Sequence, residues 1–368
     1  MAAVRVALYI YYDKDIEKML EILRKIPLGN GHGSFSRDRF EFWELIETKP
    51  AEKLPSLPDS LKRRMSKFIE PIHSETLRWF QDHRAVDEGC GPMDCDPFLT
   101  YKNNLCWKTD GTIDRTQTAK KFAQNKTFDP EMRFVMACTY FLEDDVLDLW
   151  HGEEASSVKS VPRYRSNAAV RFWVKRLKRG SRRKIPWKAE IDGYFKNLRI
   201  RRSDIRLRIS CFFSYLSWEG KKNYLPHLRL FEGHSDDFVL CLRAMDEGER
   251  VETVSVRPAT VLFCFLQWPL QYLFIDVAKQ LWSHMNVIQF HETLDYIVNY
   301  SIADGFEDFD YAGLLKEFWH LSPASYKRKI KKNKKLFKMI EITLNYDGKN
   351  ASLSLPETIQ VWLKEHVR

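Results

Sequence analysis

Glycine and proline are scarce in this 368-residue chain, fifteen of each, which argues against a sheet-rich fold built on tight turns. Long apolar runs are missing too. The longest, residues 260–278, is interrupted by Gln267, Pro269, Gln271 and Asp276, and it falls short of the roughly 20 clean apolar residues a spanning helix needs. No membrane span is expected. The first twelve residues are partly apolar, but no basic segment precedes the apolar part and no small-residue cleavage pattern follows; they read as a first helix. Catalytic signatures are absent as well. There is no His-Glu-x-x-His and no Gly-x-Ser-x-Gly, and the glycine-rich stretch 29–33 lacks a preceding strand and a phosphate-binding lysine. These absences point to a protein that is not an enzyme and needs no cofactor.

Helical spacing is present almost everywhere. Val170, Trp173, Val174 and Leu177 fall at 0, 3, 4, 7, as do Ile191, Tyr194, Phe195 and Leu198. Leu61, Met65, Phe68 and Ile72 follow 0, 4, 7, 11, as do Ile205, Ile209, Phe212 and Leu216. Val287, Phe290, Leu294, Ile297 and Val298 draw another stripe. The helix starts agree. Asp129-Pro130 and Ser322-Pro323 each offer a capping oxygen followed by a proline where no amide hydrogen is needed, and Asp114 with Gln117 resembles a capping box. Strand signals are limited to residues 340–346, followed by the turn-forming Asp347-Gly348, and residues 251–256. The expected fold is all-α, an irregular α-solenoid-like helical array with a short β-hairpin near the C-terminus. No fixed repeat period is found.

Charge is the strongest pattern. Residues 1–155 hold 22 bases and 27 acids, while residues 156–368 hold 37 and 23. The polar stretch around residues 151–166 marks the change, so the expected division is an acidic helical region, 1–155, and a basic helical array, 156–368. Within the second, residues 159–208 carry 18 bases against Glu190, Asp192 and Asp204. The candidate anion-binding residues are Arg171, Lys175, Lys178, Arg179, Arg182, Arg183, Lys184, Arg199, Arg201, Arg202, Arg206 and Arg208. Guanidinium forks suit phosphate, and Phe172, Trp173, Trp187 and Tyr194 are interleaved. Such a block would bind nucleic acid without regard to sequence and with strong salt dependence; the plainer reading is a solvated helical face. A second run, residues 327–338, holds eight bases and no acid, and reads as a nuclear-import segment, a second anion contact or an exposed helix end.

Two further clusters invite chemistry but have simpler explanations. Cys90, Cys95 and Cys106, with His73 and His83 upstream, have one Cys-x4-Cys pair where structural zinc uses two tight pairs, so no metal is expected. The acidic groups 143–145 and 307–310 lie between helices, where capping accounts for them. The seven cysteines are odd in number, and 138, 211, 241 and 264 sit in apolar helical contexts, which suits free thiols in an intracellular compartment, cytoplasm or nucleus.

Residues 106–150 and 303–323 together resemble a lineage-expanded family of helical proteins from spiders and related arachnids. The resemblance implies a mostly helical, intracellular protein and carries no activity, cofactor or site residue. On the residues themselves, Phe134, Cys138 and Phe141 line one stripe, continued by Val146, Leu149 and Trp150, as a helical hairpin is written. The functional expectation is a non-enzymatic interaction or scaffold protein with an unknown protein partner; the alternative is a nucleic-acid-binding protein using residues 171–208.

Overall fold

A computed structural model of the chain describes residues 2–26, 37–83, 102–161, 166–179, 185–196, 206–225, 236–306, 308–347 and 352–366. The fold is all-α. Among the described residues there is no strand, and a single antiparallel bridge joins Trp107 to Ile113. The helices are α1 (Ala2–Tyr11), α2 (Lys14–Lys25), α3 (Arg37–Lys53), α4 (Asp59–Ser66), α5 (Ile69–His83), α6 (Arg115–Gln124), α7 (Pro130–Thr139), α8 (Glu143–His151), α9 (Ala155–Lys159), α10 (Ala168–Lys178) and α11 (Trp187–Phe195). They continue as α12 (Trp218–Tyr224), α13 (Asp237–Ala244), α14 (Glu247–Val256), α15 (Pro258–Cys264), α16 (Phe274–Leu281), α17 (Val287–Ile297), α18 (Tyr311–Leu321), α19 (Ala324–Ile330), α20 (Lys334–Asn345) and α21 (Leu355–His366). Short 3-10 turns occupy Ile209–Cys211 and Phe213–Tyr215, and a π-helical turn, Val298–Ile302, extends α17.

The chain divides into two units. The first comprises Met1–His73, Thr109–Gly111 and Val254–Arg368; the second comprises Ser74–Lys108 and Thr112–Thr253. The division expected near residue 155 is not where the units part. Residue 155 opens α9, which packs on α7 and α8 inside the second unit, and Glu154 just before it pairs with Arg133 of α7 at 2.6 Å. Charge changes sign there, but the core does not.

In the second unit, α6, α7 and α8 form the expected hairpin. Asp129 caps α7, accepting from Glu131 N at 3.0 Å and Met132 N at 3.2 Å, and Asp114 caps α6 by accepting from Gln117 N at 3.0 Å. Phe134, Cys138, Val146, Leu149 and Trp150 are all buried, and Phe122 stacks on Phe128 at 4.7 Å. Phe141 ends α7 in a left-handed conformation, φ 53°, with Leu142 N donating to Ala137 O and Phe141 N to Cys138 O. Glycine usually takes that position. Here the aromatic ring compensates, because it meets Phe172, Trp173, Trp187, Phe195 and Phe212 within 6.2 Å.

In the first unit, α15 packs on α16 and α17, α16 on α18, α17 on α19, and α20 on α18 and α21. A capping box starts α17, with Asn286 accepting from Gln289 N and Gln289 returning to Asn286 N. Its stripe is fully enclosed: Phe290, Leu294, Ile297 and Val298 are buried. Gly111 takes φ 85°, and a Cβ there would strike Trp268 and Val4. No described helix is long and apolar enough to cross a membrane.

Several local expectations need correction. Residues 340–346 are not a strand: Leu336, Met339, Ile340 and Thr343 bury one side of α20 at helical spacing, and this packing overrides the β-branched alternation. Residues 251–256 lie in α14, with Thr253 buried while Val251 and Val256 are exposed. Ile209, Phe212 and Leu216 are buried as their spacing suggests, yet they ride on the two 3-10 turns. The stripe 61–72 is split by a turn at Lys67-Phe68, which leaves Leu61 exposed. Pro323, not Ser322, caps α19, and Ser322 Oγ donates backwards to Trp319 O at 2.7 Å.

Candidate functional site

Helix α10 is fixed from within. Asn167 caps it, accepting from Ala169 N at 2.9 Å and Val170 N at 3.0 Å, while its own Nδ2 donates to Thr139 Oγ1 at 2.9 Å. Val170, Phe172 and Trp173 are buried, and the helix packs on α7. The opposite side therefore faces water, and it carries Arg171, Lys175, Lys178 and Arg179, all exposed. Their spacing of 0, 4, 7 and 8 makes one row. None of the four lies within ion-pair distance of a described carboxylate. Arg171 donates to Ser166 O at 2.7 Å, and Lys175 Nζ sits 5.7 Å from the Tyr194 ring centroid. Arg176, one residue out of the row, is spent on Glu190 at 2.9 Å.

The other end of the basic block turns inward. Arg182, Arg183, Lys184, Arg199, Arg201 and Arg202 lie outside the described residues. Arg206 and Arg208 do not form part of an exposed anion site. Arg206 Nη1 donates to Asp82 Oδ1 at 2.8 Å, and Arg208, with a 2 % exposed side chain, forks onto Asp236 at 3.0 and 2.7 Å. The same acids hold Arg115, whose side chain has no exposure at all. Its Nη1 reaches Asp82 Oδ2 at 2.6 Å, its Nε lies 3.0 Å from Asp236 Oδ1 and its Nη2 lies 3.5 Å from Glu75 Oε1. Asp237 accepts from Ile209 N at 2.6 Å and Ser210 N at 3.0 Å, and Arg78 lies 3.6 Å from Glu75. Among the described residues, Arg78, Arg115, Arg206 and Arg208 face Glu75, Asp82, Asp236 and Asp237. Burial alone would lower the Arg115 pKa; Glu75, Asp82 and Asp236 overcome it and raise it above the ordinary arginine range. The guanidinium stays charged.

Beside this cluster, His83 Nδ1 lies 2.6 Å from Trp79 O, and Nε2 lies 3.0 Å from Tyr140 Oη. A carbonyl can only accept, so Nδ1 carries the proton of that bond, and Nε2 shares a second hydrogen bond with the tyrosine hydroxyl. Burial pushes the Tyr140 hydroxyl far above its ordinary pKa, although Arg208 and Arg115 pull it down. The histidine, the tyrosine and these ion pairs form a clasp between α5, α6, α13 and the segment at 206–210, enclosed at Arg115, Arg208 and Asp82 and partly open to water at Arg206 and Asp236.

The remaining candidates resolve into local structure. Glu143 accepts from Trp187 Nε1 at 2.8 Å, Asp145 from Gln124 Nε2 at 2.9 Å, and Asp310 caps α18 through Gly313 N at 2.8 Å. His73 is buried within hydrogen-bond range of Tyr11. Cys90, Cys95 and the stretch 29–33 lie outside the described residues. Among the described residues no three His, Cys, Asp or Glu side chains are grouped to hold a metal. Burial pushes the Cys211 and Cys264 thiols up to about 12, and Cys138 and Cys241 well above their ordinary value, so these sulfurs are poor nucleophiles at neutral pH.

The run 327–338 spans α19, the turn at Lys331–Asn333 and the first residues of α20. Arg328, Lys329, Lys331, Lys332, Lys334, Lys335 and Lys338 are exposed, while Ile330 and Leu336 are buried. Sequence reading located both cationic runs but not the internal partners of Arg206 and Arg208. The available signal was the alternation Arg206-Leu207-Arg208-Ile209, which puts both cations on one side of an extended segment, with Asp236-Asp237 to meet them. Compared with models of known protein families, with curated proteins and with solved structures, the chain matches none.

Proposed function

We propose that this chain is a non-enzymatic, intracellular interaction protein, a helical scaffold that receives an acidic protein segment on the outer face of α10. The observation that supports this reading is the row of Arg171, Lys175, Lys178 and Arg179, exposed and without carboxylate partners among the described residues, on a helix whose other side is locked into the core. A row at 0, 4, 7 and 8 is complementary to an acidic helix with the same spacing. Four exposed charges contribute at most about 1 kcal/mol each, so the face steers and selects a partner more than it anchors one. Buried free thiols at Cys138, Cys241 and Cys264 suit a reducing compartment. Membership of the arachnid family that residues 106–150 and 303–323 resemble belongs to the same proposal.

A second reading, nucleic acid on this face, draws support from Tyr194 beneath Lys175. It has lost Arg206 and Arg208, which the acids of the core take up. A photo-crosslinking residue placed at Lys178 separates the two in cells. The proposal expects a recurrent cross-linked protein with an acidic helical segment, lost when Arg171, Lys175 and Arg179 are changed to Glu. Nucleic-acid cross-links would favour the second reading, and no specific cross-link of either kind would remove both.

A further inference from the structure

The region around α19 and α20 carries a different charge pattern from α10. From residue 318 to residue 340 the chain contains no acid and eight bases. Lys338 pairs with Glu341 at 2.7 Å. The other six exposed cations, Arg328, Lys329, Lys331, Lys332, Lys334 and Lys335, have no described carboxylate within ion-pair distance.

The elbow that holds them is ordered by its own bonds. Lys331 N donates to Lys327 O at 3.0 Å, Lys332 N to Lys329 O at 3.1 Å and Asn333 N to Ile330 O at 2.8 Å. Asn333 caps α20 through Leu336 N at 3.2 Å, and its Nδ2 lies 2.8 Å from His291 Nε2 on α17. Tyr326 Oη donates to Met285 O at 2.6 Å. The cations are thus presented on a fixed backbone, which reduces the ordering cost of binding. A partner that reads this run as an extended peptide would have to unwind both helices.

The chemistry of the elbow selects among anionic partners. Its apolar residues Ile330, Leu336, Met339 and Ile340 are buried, and the half-buried Phe337 is engaged by Trp319 at 6.1 Å and by Lys331 at 5.5 Å, so the elbow presents charge to a partner and not an apolar wedge. Seven exposed cations fall within the eleven residues 328–338, a local concentration of positive charge suited to a phosphate backbone. The α10 row is sparser. Lysine predominates, which supplies point charges without the bidentate fork that reads a guanine edge. We propose that the elbow between α19 and α20 binds the phosphate backbone of double-stranded nucleic acid without sequence preference. This inference stands on a different surface from the α10 proposal and does not depend on it.

Fluorescence anisotropy of the full chain with a labelled duplex of about 20 base pairs, titrated from 25 to 300 mM salt, tests it. Neutralisation of six phosphates predicts a log–log salt slope near −5, equal for unrelated sequences. The quadruple variant Lys331→Gln, Lys332→Gln, Lys334→Gln, Lys335→Gln should bind at least tenfold more weakly at 100 mM and lose about three to four units of slope, with its melting temperature unchanged. Should that variant unfold, Arg328→Gln with Lys329→Gln should still lower the slope by about two units. A variant with Arg171, Lys175, Lys178 and Arg179 changed to Gln should retain the elbow's share of the slope. The inference is overturned if the duplex fails to bind at 25 mM salt, if the lysine variants keep the parent slope, or if phosphatidylserine vesicles bind the chain while the duplex does not.

Discussion

Two basic stretches with similar sequence character meet opposite fates. At 206–208 Arg208 is drawn inside onto Asp236 and the partly exposed Arg206 is taken up by Asp82; at 328–335 a comparable density of cations stays outside with no described carboxylate in reach. The difference lies in the acids, not in the bases. Asp82 ends α5 and Asp236 begins the turn into α13, both far from 206 in sequence, so their positions become relevant only when the helices pack. Around the elbow, by contrast, the chain is free of acids for the whole of residues 318–340. Positive charge in a sequence is a promise of binding only where the fold brings no carboxylate to meet it.

The comparison can be broken most forcefully at Arg115. Arg115→Met removes the enclosed cation shared by Glu75, Asp82 and Asp236, leaving Asp82 to Arg206 and Glu75 to Arg78, and should cost about 3–5 kcal/mol in urea unfolding. Adding Asp82→Asn should recover part of that loss, because it is the stranded charge that is expensive. Arg208→Met should cost less, about 2–3 kcal/mol, since Asp236 is 29 % exposed and water can take up part of its charge. Neutralising Lys331, Lys332, Lys334 and Lys335 should change stability by less than about 0.5 kcal/mol, as expected for exposed side chains with no described carboxylate partner. Equal costs for Arg208 and the elbow lysines would erase the distinction.

Asp304 sharpens the contrast from the acid side. It is half-buried, its Oδ1 has no hydrogen-bond partner among the described residues, and burial pushes its carboxyl up to about 6. The folded chain therefore holds this proton more tightly than the unfolded chain, whose aspartate titrates near 3.8. Its contribution to stability is present below about pH 4 and is lost as the pH rises through about 6. Asp304→Asn should raise the melting temperature at pH 7.5 and leave it nearly unchanged at pH 4. An equal gain at both values would show that the carboxyl titrates normally.

Much of the fold was legible because it is written in local spacing. The stripe from Phe134 to Trp150 and the stripe from Phe290 to Val298 need only a helix and a core, and Asp129-Pro130 starts a helix by chemistry confined to three residues. Ile209, Phe212 and Leu216 have helical spacing too, but successive 3-10 turns also bring residues three apart to one side, so spacing alone does not separate the two. The strand reading of 340–346 failed for the opposite reason: its alternation is real, but Leu336 and Met339, just outside the window, complete a helical stripe. The division near residue 155 followed charge, whereas units follow packing. For the site, the row on α10 could be read because its apolar side identifies its exposed side. The loss of Arg206 and Arg208 to the interior could not, because it depends on residues 28 and 124 positions away.

The most direct test of this division of charge is covalent footprinting of the native chain, with lysine- and arginine-specific reagents read by mass spectrometry. Lys175, Lys178, Lys331, Lys332, Lys334 and Lys335 should react at rates near those of free side chains, and Arg115 and Arg208 should stay protected until the chain unfolds. Modification of Arg208 in the native state as fast as Arg171 would contradict the account.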